Sequence, residues 1–159
     1  MQQCLLFLRM PEWAGENMSA PTRPPTASEL LARAEVIRAL VGAWADSRVN
    51  NPTDRHEEGG WIYQDLSTGV IVTRRAPAGT RSRLSLAYPP QLSNHVIVGT
   101  FHTHPNPASE GWETGPSIQD EQAASYSGVP WLIRAEDGDH SAGPVSRRGG
   151  LGGGPGYPP

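Results

Sequence analysis

Two histidines spaced two residues apart, His102 and His104, close an apolar run in Val96-Ile97-Val98-Gly99-Thr100-Phe101-His102-Thr103-His104-Pro105. On a strand, alternate side chains share a face, so the two imidazoles project together, about 6–7 Å apart along the chain, and can converge on one ion. Asp120, in Ser117-Ile118-Gln119-Asp120, can supply a third ligand. A zinc ion held by three protein ligands keeps its fourth position for water, which is the arrangement of a catalytic and not of a structural site. Water placed there ionises near neutrality and becomes a nucleophile. Each piece also has an ordinary use. A histidine pair can decorate a strand surface, and Ser-x-x-Asp is close to a capping box in which the serine caps a helix.

Upstream lies an acidic segment, His56-Glu57-Glu58-Gly59-Gly60-Trp61-Ile62. In this order the pieces resemble the JAB/MPN (JAMM) zinc metallopeptidase family, in its bacterial JAB-domain form. That family's pattern is a glutamate shortly before a Gly-hydrophobic strand, then His-Ser/Thr-His-Pro, then Ser-x-x-Asp, and the resemblance covers residues 28 to about 135. It implies Zn2+ on His102, His104 and Asp120, with Glu57 as the base that takes a proton from water and returns it to the leaving amine. It also implies that Ser117 stabilises the oxyanion of the tetrahedral intermediate. The implied reaction is hydrolysis of a peptide or isopeptide bond in a protein or peptide substrate, with ubiquitin-like conjugates or precursors as one class. Glu58 is the alternative base, because neighbouring strand residues face opposite ways and only one can point at the metal. Eleven residues separate Pro105 from Ser117, about four more than the family usually has, and Glu110 and Glu113 in that loop are alternative third ligands. Two further readings are a non-catalytic MPN-like module that binds a partner, and a domain of a bacterial toxin or conjugation system.

Glycine and proline together make up 34 of the 159 residues and gather at both ends, while hydrophobic residues reach only 36 %. The ends are therefore expected to stay unpacked, and the middle to hold one core. The expected division is a disordered segment over 1–25, a domain over 26–140 and a flexible tail over 141–159. Met18 opens a more ordinary start than Met1, so residues 1–17 need not belong to the natural product. The tail contains Arg147-Arg148-Gly149-Gly150 followed by nine residues, which has the look of a modifier precursor's processing site. A net charge of −3 argues against general nucleic-acid binding. Cys4 stands alone, so no internal disulfide forms and a reducing, cytoplasmic setting is expected. No apolar run is long enough to span a membrane. All thirteen basic residues are arginine. Arg74, Arg75, Arg81 and Arg83 fall in a stretch without acids between Asp65 and Glu110, either a solvated edge or a surface for an acidic substrate or partner.

These chemical residues need elements to position them. Thr26 and Glu29 form a capping box at the start of a helix whose buried stripe is Leu30, Ala34, Ile37, Val41 and Trp44, ending at Asn50-Asn51-Pro52. Trp61–Tyr63 and Val70–Thr73 form a hairpin around Ser67-Thr68-Gly69. A short strand is expected at Leu84–Ala87, a central strand at Val96–Phe101, a helix at Ser117–Tyr126 and a strand at Val129–Ile133. Glu136–Asp139 reads as a turn. The sum is one α/β domain, a mixed sheet flanked by helices, consistent with the JAMM fold. Thr103 packs into the sheet, and Gly60 and Gly99 allow close backbone approach. His56 lies beside Glu57 as a neighbour of the site or a surface residue; Trp112 is a lid or a loop anchor.

Overall fold

The first helix begins where its cap dictates. In the computed structural model, which describes residues 23–143, α1 (Ala27–Leu31) is headed by Thr26. Its hydroxyl accepts from the Glu29 N–H at 3.2 Å, and the Glu29 carboxylate accepts from the Thr26 N–H at 2.8 Å. The single long helix does not form. Arg33 adopts an extended backbone, and α2 (Ala34–Asp46) starts afresh. This break resets the phase of the buried face. Val36, Leu40 and Ala43 are buried, whereas Ile37 and Val41, assigned inward by the unbroken spacing, are 42 % and 51 % exposed. Most of the expected N-terminal disordered segment, with Cys4 and the alternative start at Met18, lies outside the described residues, as does the tail from 144 with its Arg-Arg-Gly-Gly run.

Five strands form one mixed sheet in the order β2-β1-β3-β4-β5. β1 (Gly59–Asp65) and β2 (Ile71–Arg75) are the expected antiparallel hairpin, and Gly69 supplies the positive φ of its turn. β3 (His95–Thr103) is central and pairs with β1 on one side. On the other it runs parallel to β4 (Trp131–Ala135). A parallel pair needs a crossover, and α3 (Ile118–Ser127) provides it. Strand β4 starts two residues later than the sequence suggests. Pro130 has no N–H to give to the ladder, although its carbonyl accepts from the Thr100 N–H at 3.0 Å.

Three more expectations are corrected. Leu84–Ala87 is not a strand. The isolated bridge from Thr80 to Arg83 ends just before it, and the segment packs Leu84 and Leu86 onto Trp61 and Tyr63, with the Trp61 indole N–H donating to the Leu86 carbonyl at 3.2 Å. The turn after β4 is tighter than expected, because Gly138, at φ 126°, already opens β5 (Gly138–Ala142). Pairing of Ala142 with Trp131 carries order two residues past the expected boundary at 140.

Consecutive residues of β4 show which helix covers which face. Leu132 joins Leu30, Val36, Leu40 and Phe101 under α1 and α2, whereas Ile133 joins Ala124 of α3. The helices therefore flank the sheet on both sides. Alternation along β3 then fixes the site: Phe101 and Thr103 face α2, and His102 faces α3. Gly99 fits because a Cβ there would lie 2.8 Å from Leu30 Cδ1 and 3.2 Å from the Pro130 carbonyl oxygen, and at Gly60 it would meet the Arg74 carbonyl oxygen at 1.9 Å. Among the described residues no helix is long and apolar enough to cross a membrane.

The reset phase of α2 is testable by urea denaturation. Leu40→Ala is expected to cost about 2–5 kcal/mol. Val41→Ala is expected to stay within about 0.5 kcal/mol. Equal losses at both positions would contradict the break at Arg33.

Candidate metal centre

The central strand delivers His102 and His104 to the same side, and the crossover helix delivers Asp120 to meet them. The two Nε2 atoms stand 3.2 Å apart. His102 Nε2 lies 3.1 Å from Asp120 Oδ1, and His104 Nε2 lies 3.4 Å from Asp120 Oδ2. One donor atom from each residue can be chosen so that all three fall within 4.8 Å of one another. Zinc bonds of about 2.0–2.1 Å in a tetrahedron space neighbouring ligand atoms about 3.3 Å apart; the two Nε2 atoms stand at that spacing, and Asp120 reaches the two rings with different carboxylate oxygens. The Nδ1 atom of His102 is buried and has no hydrogen-bond partner among the described residues. Two imidazoles and one carboxylate form a donor set that suits zinc with an open position.

Asp120 is held by the N-terminus of α3. The Ser117 hydroxyl accepts from the Asp120 N–H at 3.2 Å and donates to Asp120 Oδ2 at 2.7 Å, and the Ser117 N–H donates to the same oxygen at 2.7 Å. The capping box read as the ordinary alternative is therefore present, and it orients the carboxylate toward the histidines. The Ser117 hydroxyl proton is already given to Asp120, so donating it to an oxyanion would require that bond to break. In the first turn, the positive end of the helix also favours an anion. Burial pushes the Asp120 carboxyl up, but bonds from both imidazoles and Ser117 outweigh it and hold the group well below the usual carboxylate range. Burial lowers His102 against the pull of Asp120. Asp120 anionic and His102 neutral are the states a metal requires. At His104 burial acts downward, but Asp120, Glu57 and the Gly115 backbone together raise it, which works against the neutral ring that ligation needs.

The two glutamates are both buried, Glu57 at 9 % and Glu58 at 7 % exposure, but they face different surroundings. Glu58 receives the Arg75 guanidinium and His56 Nε2 at 3.0 Å, on the side of α2, where Arg75 also meets Asp46 at 3.1 Å. Glu57 lines a cavity of about 660 Å³ together with His104, Ser117 and Asp120. Burial raises its carboxyl to about 7, with His104 opposing and Asp120 adding to the rise. Between the two, Glu57 is the one brought to the histidines. Glu110 is tied instead to Arg55 at 2.7 Å and Arg81 at 2.8 Å, and Glu113 is exposed on the cavity wall. Neither joins the ligand cluster. His56 serves Glu58, away from the cluster. Trp112 lines the cavity with the Arg81 guanidinium 5.7 Å from its ring centre.

Sequence reasoning missed two neighbours of the site. Trp131 packs edge-on to His102, with ring centres 5.8 Å apart. Its partner across the parallel ladder is Thr100, two residues before His102, and that register could not be read from one strand alone. Asn106, also buried, donates to the Arg81 carbonyl at 2.7 Å and accepts from Arg81 Nε at 3.0 Å. Compared with protein-family models, with curated proteins and with solved structures, the chain finds no match in any of the three.

A buried carboxyl raised from 4.5 to about 7 binds its proton more tightly in the folded state, so it adds no penalty below pH 4.5 and its full penalty above pH 7. In metal-free protein, Glu57→Gln is expected to match wild type near pH 4.5 and to exceed its stability by about 3 kcal/mol at pH 8, at 1.36 kcal/mol per pKa unit. Denaturant melts at the two pH values check this. A stability difference that does not change with pH would refute the raised carboxyl.

Proposed function

We propose that this chain is a zinc-dependent peptidase or isopeptidase of the JAMM type. The observation that carries the reading is the convergence of Glu57, His104, Ser117 and Asp120 on one cavity, with His102 completing the ligand cluster at its back. The mixed sheet flanked by helices is compatible with a JAMM-type fold, and the order of motifs along the chain supports the same reading.

His102, His104 and Asp120 would hold the metal. A zinc ion bound there would supply Lewis acidity and lower the pKa of water in its open position toward neutrality. Glu57 takes a proton from the attacking water as the new C–O bond forms at the amide carbonyl. It gives that proton to the amine nitrogen as the C–N bond breaks, leaving a carboxylic acid and a free amine. A carboxyl near 7 suits a group that must both accept and release a proton at neutral pH. The burial of Glu57 without a basic partner of its own sets that value. Ser117 fixes the Asp120 carboxylate and keeps α3 capped; its hydroxyl reaches an oxyanion only by exchanging its bond to Asp120.

Elemental analysis of full-length protein is expected to find one zinc per chain, lost in His102→Ala and in Asp120→Ala. Glu57→Gln is expected to keep the metal and to lower hydrolysis of a peptide and isopeptide-conjugate panel by about 10²–10⁴-fold. Zinc retention without hydrolysis in wild type would instead mark a binding module, and hydrolysis undiminished in Glu57→Gln would exclude Glu57 as the base. Ser117→Ala is expected to weaken zinc binding by about 10–100-fold in chelator competition. It should also cost about 0.5–2 kcal/mol of stability through the lost cap; unchanged affinity would remove Ser117 from the support of Asp120.

A further inference from the structure

The four arginines of the acid-free stretch have different fates. Arg74 donates to its neighbour's carbonyl, that of Thr73, at 2.9 Å. Arg75 is taken by Glu58 and Asp46. Arg81 is taken by Glu110 at 2.8 Å and by Asn106 at 3.0 Å. Arg83 lines the cavity that holds Glu57, His104 and Asp120, and its side chain shows no hydrogen bond or ion pair among the described residues.

Its backbone is anchored close to the site. The Glu57 N–H donates to the Thr80 carbonyl at 2.8 Å, and the Thr80 N–H donates to the Arg83 carbonyl at 2.8 Å. The Gly79 N–H returns to the Glu57 carbonyl at 2.9 Å. Gly79 is required there, because a Cβ would lie 2.3 Å from the Arg83 carbonyl oxygen. The turn carrying Arg83 is thus stitched to the main chain of Glu57. A cavity of this size accepts a short stretch of peptide, and Arg83, an exposed residue of its lining, carries a guanidinium without a partner, which fits a carboxylate through two parallel N–H donors.

We propose that Arg83 is a specificity-determining residue that binds a carboxylate of the substrate close to the scissile amide. The inference rests on the peptidase reading for the meaning of "scissile", but its test reads binding and needs no turnover. The carboxylate belongs either to the substrate's own C-terminus or to an acidic side chain beside the cleaved bond. Both present the same planar anion to the same fork. Glu113, exposed on the same lining, disfavours a second negative charge, so one carboxylate is the expected complement.

The test uses full-length, zinc-supplemented Glu57→Gln protein and three probes: acetyl-Ala-Ala with a free carboxylate, its C-terminal amide, and acetyl-Ala-Glu amide. Affinities come from titration by NMR, with the Arg83 Nε–H signal as the local reporter. The free acid, the glutamyl amide, or both are expected to bind at least about tenfold more tightly than the neutral amide and to move the Arg83 signal. Preference for the first assigns a terminal carboxylate, and preference for the second an acidic side chain. Adding Arg83→Gln is expected to abolish the preference without weakening the neutral amide, and Arg83→Lys to restore part of it. Equal binding of all three probes, binding of none, or a preference that survives Arg83→Gln would overturn the proposal. Wild-type protein that shows the preference yet hydrolyses nothing would overturn the peptidase reading while leaving the carboxylate site standing.

Discussion

Removing two imidazoles and a carboxylate from water and holding them 3.1–3.4 Å apart is the demand that the rest of this fold answers. Each group alone would lose hydration it cannot replace in an apolar interior. The parallel pairing of β3 and β4 makes the arrangement possible, because it forces the chain between them to cross the sheet through α3. The N-terminus of that helix then meets the face of β3 that carries His102. The helix end supplies both the backbone N–H groups and the partial positive charge that an anion at Asp120 needs. On the opposite face, Thr103 ties the same strand to the helix layer, its hydroxyl 2.6 Å from Ser47 Oγ and accepting from the Glu58 N–H at 3.0 Å. The strand that presents the histidines is thereby fixed from behind.

Glu57 and Glu58 show how two adjacent acids at the entrance to β1 meet opposite surroundings. Both are buried acids, and a buried acid is costly unless paired. Glu58 has an arginine and a histidine, so its charge is compensated and it serves as a tie between α2, β2 and β1. Glu57 has no basic side chain of its own beyond the histidine pair. Its carboxyl is pushed up to about 7, and the destabilisation that accompanies the shift is of the kind found where a group must change protonation state. A second arginine at Glu57 would stabilise the fold and remove that capacity.

The sequence made the site more legible than its scaffold. His-x-His on an apolar run needs only strand periodicity to place both rings on one side, and Ser-x-x-Asp needs only helix-capping geometry to turn Asp120 inward. These are local rules, and local spacing carries them. Sequence alone does not separate Glu57 from its alternative Glu58, because the choice depends on Arg75 and His56 claiming one of them. The misassigned stripe of α2 has a similar origin. Leu30 to Trp44 keeps helical spacing in the sequence, but the extended backbone at Arg33 turns the second helix relative to the first, and no residue in Ala32-Arg33-Ala34 announces a break. Strand β5 was hidden because Gly138-Asp139-His140-Ser141 has no apolar alternation; ladder bonds to β4 and the Arg134–Asp139 pair at 2.7 Å hold it instead. Leu84–Ala87 has the opposite character, strand-like in composition, yet it packs its leucines on Trp61 and Tyr63 without a ladder.

The long loop between the histidines and Asp120 follows from the same competition among acids. A long loop between two parts of a candidate site adds slack, and slack works against a preorganised site. Here the loop is pinned at both ends of its first half. Asn106 exchanges two hydrogen bonds with Arg81, and Glu110 bridges Arg81 to Arg55, whose side chain is itself only 8 % exposed. Of the two rival acids, Glu110 is thus consumed in fastening the loop and Glu113 stays exposed, and Asp120 completes the cluster. Because the same ties neutralise Arg81, the cavity wall retains Arg83 as the arginine of that segment without a partner. The loop's anchoring and the cavity's residual charge are therefore two consequences of one set of ion pairs.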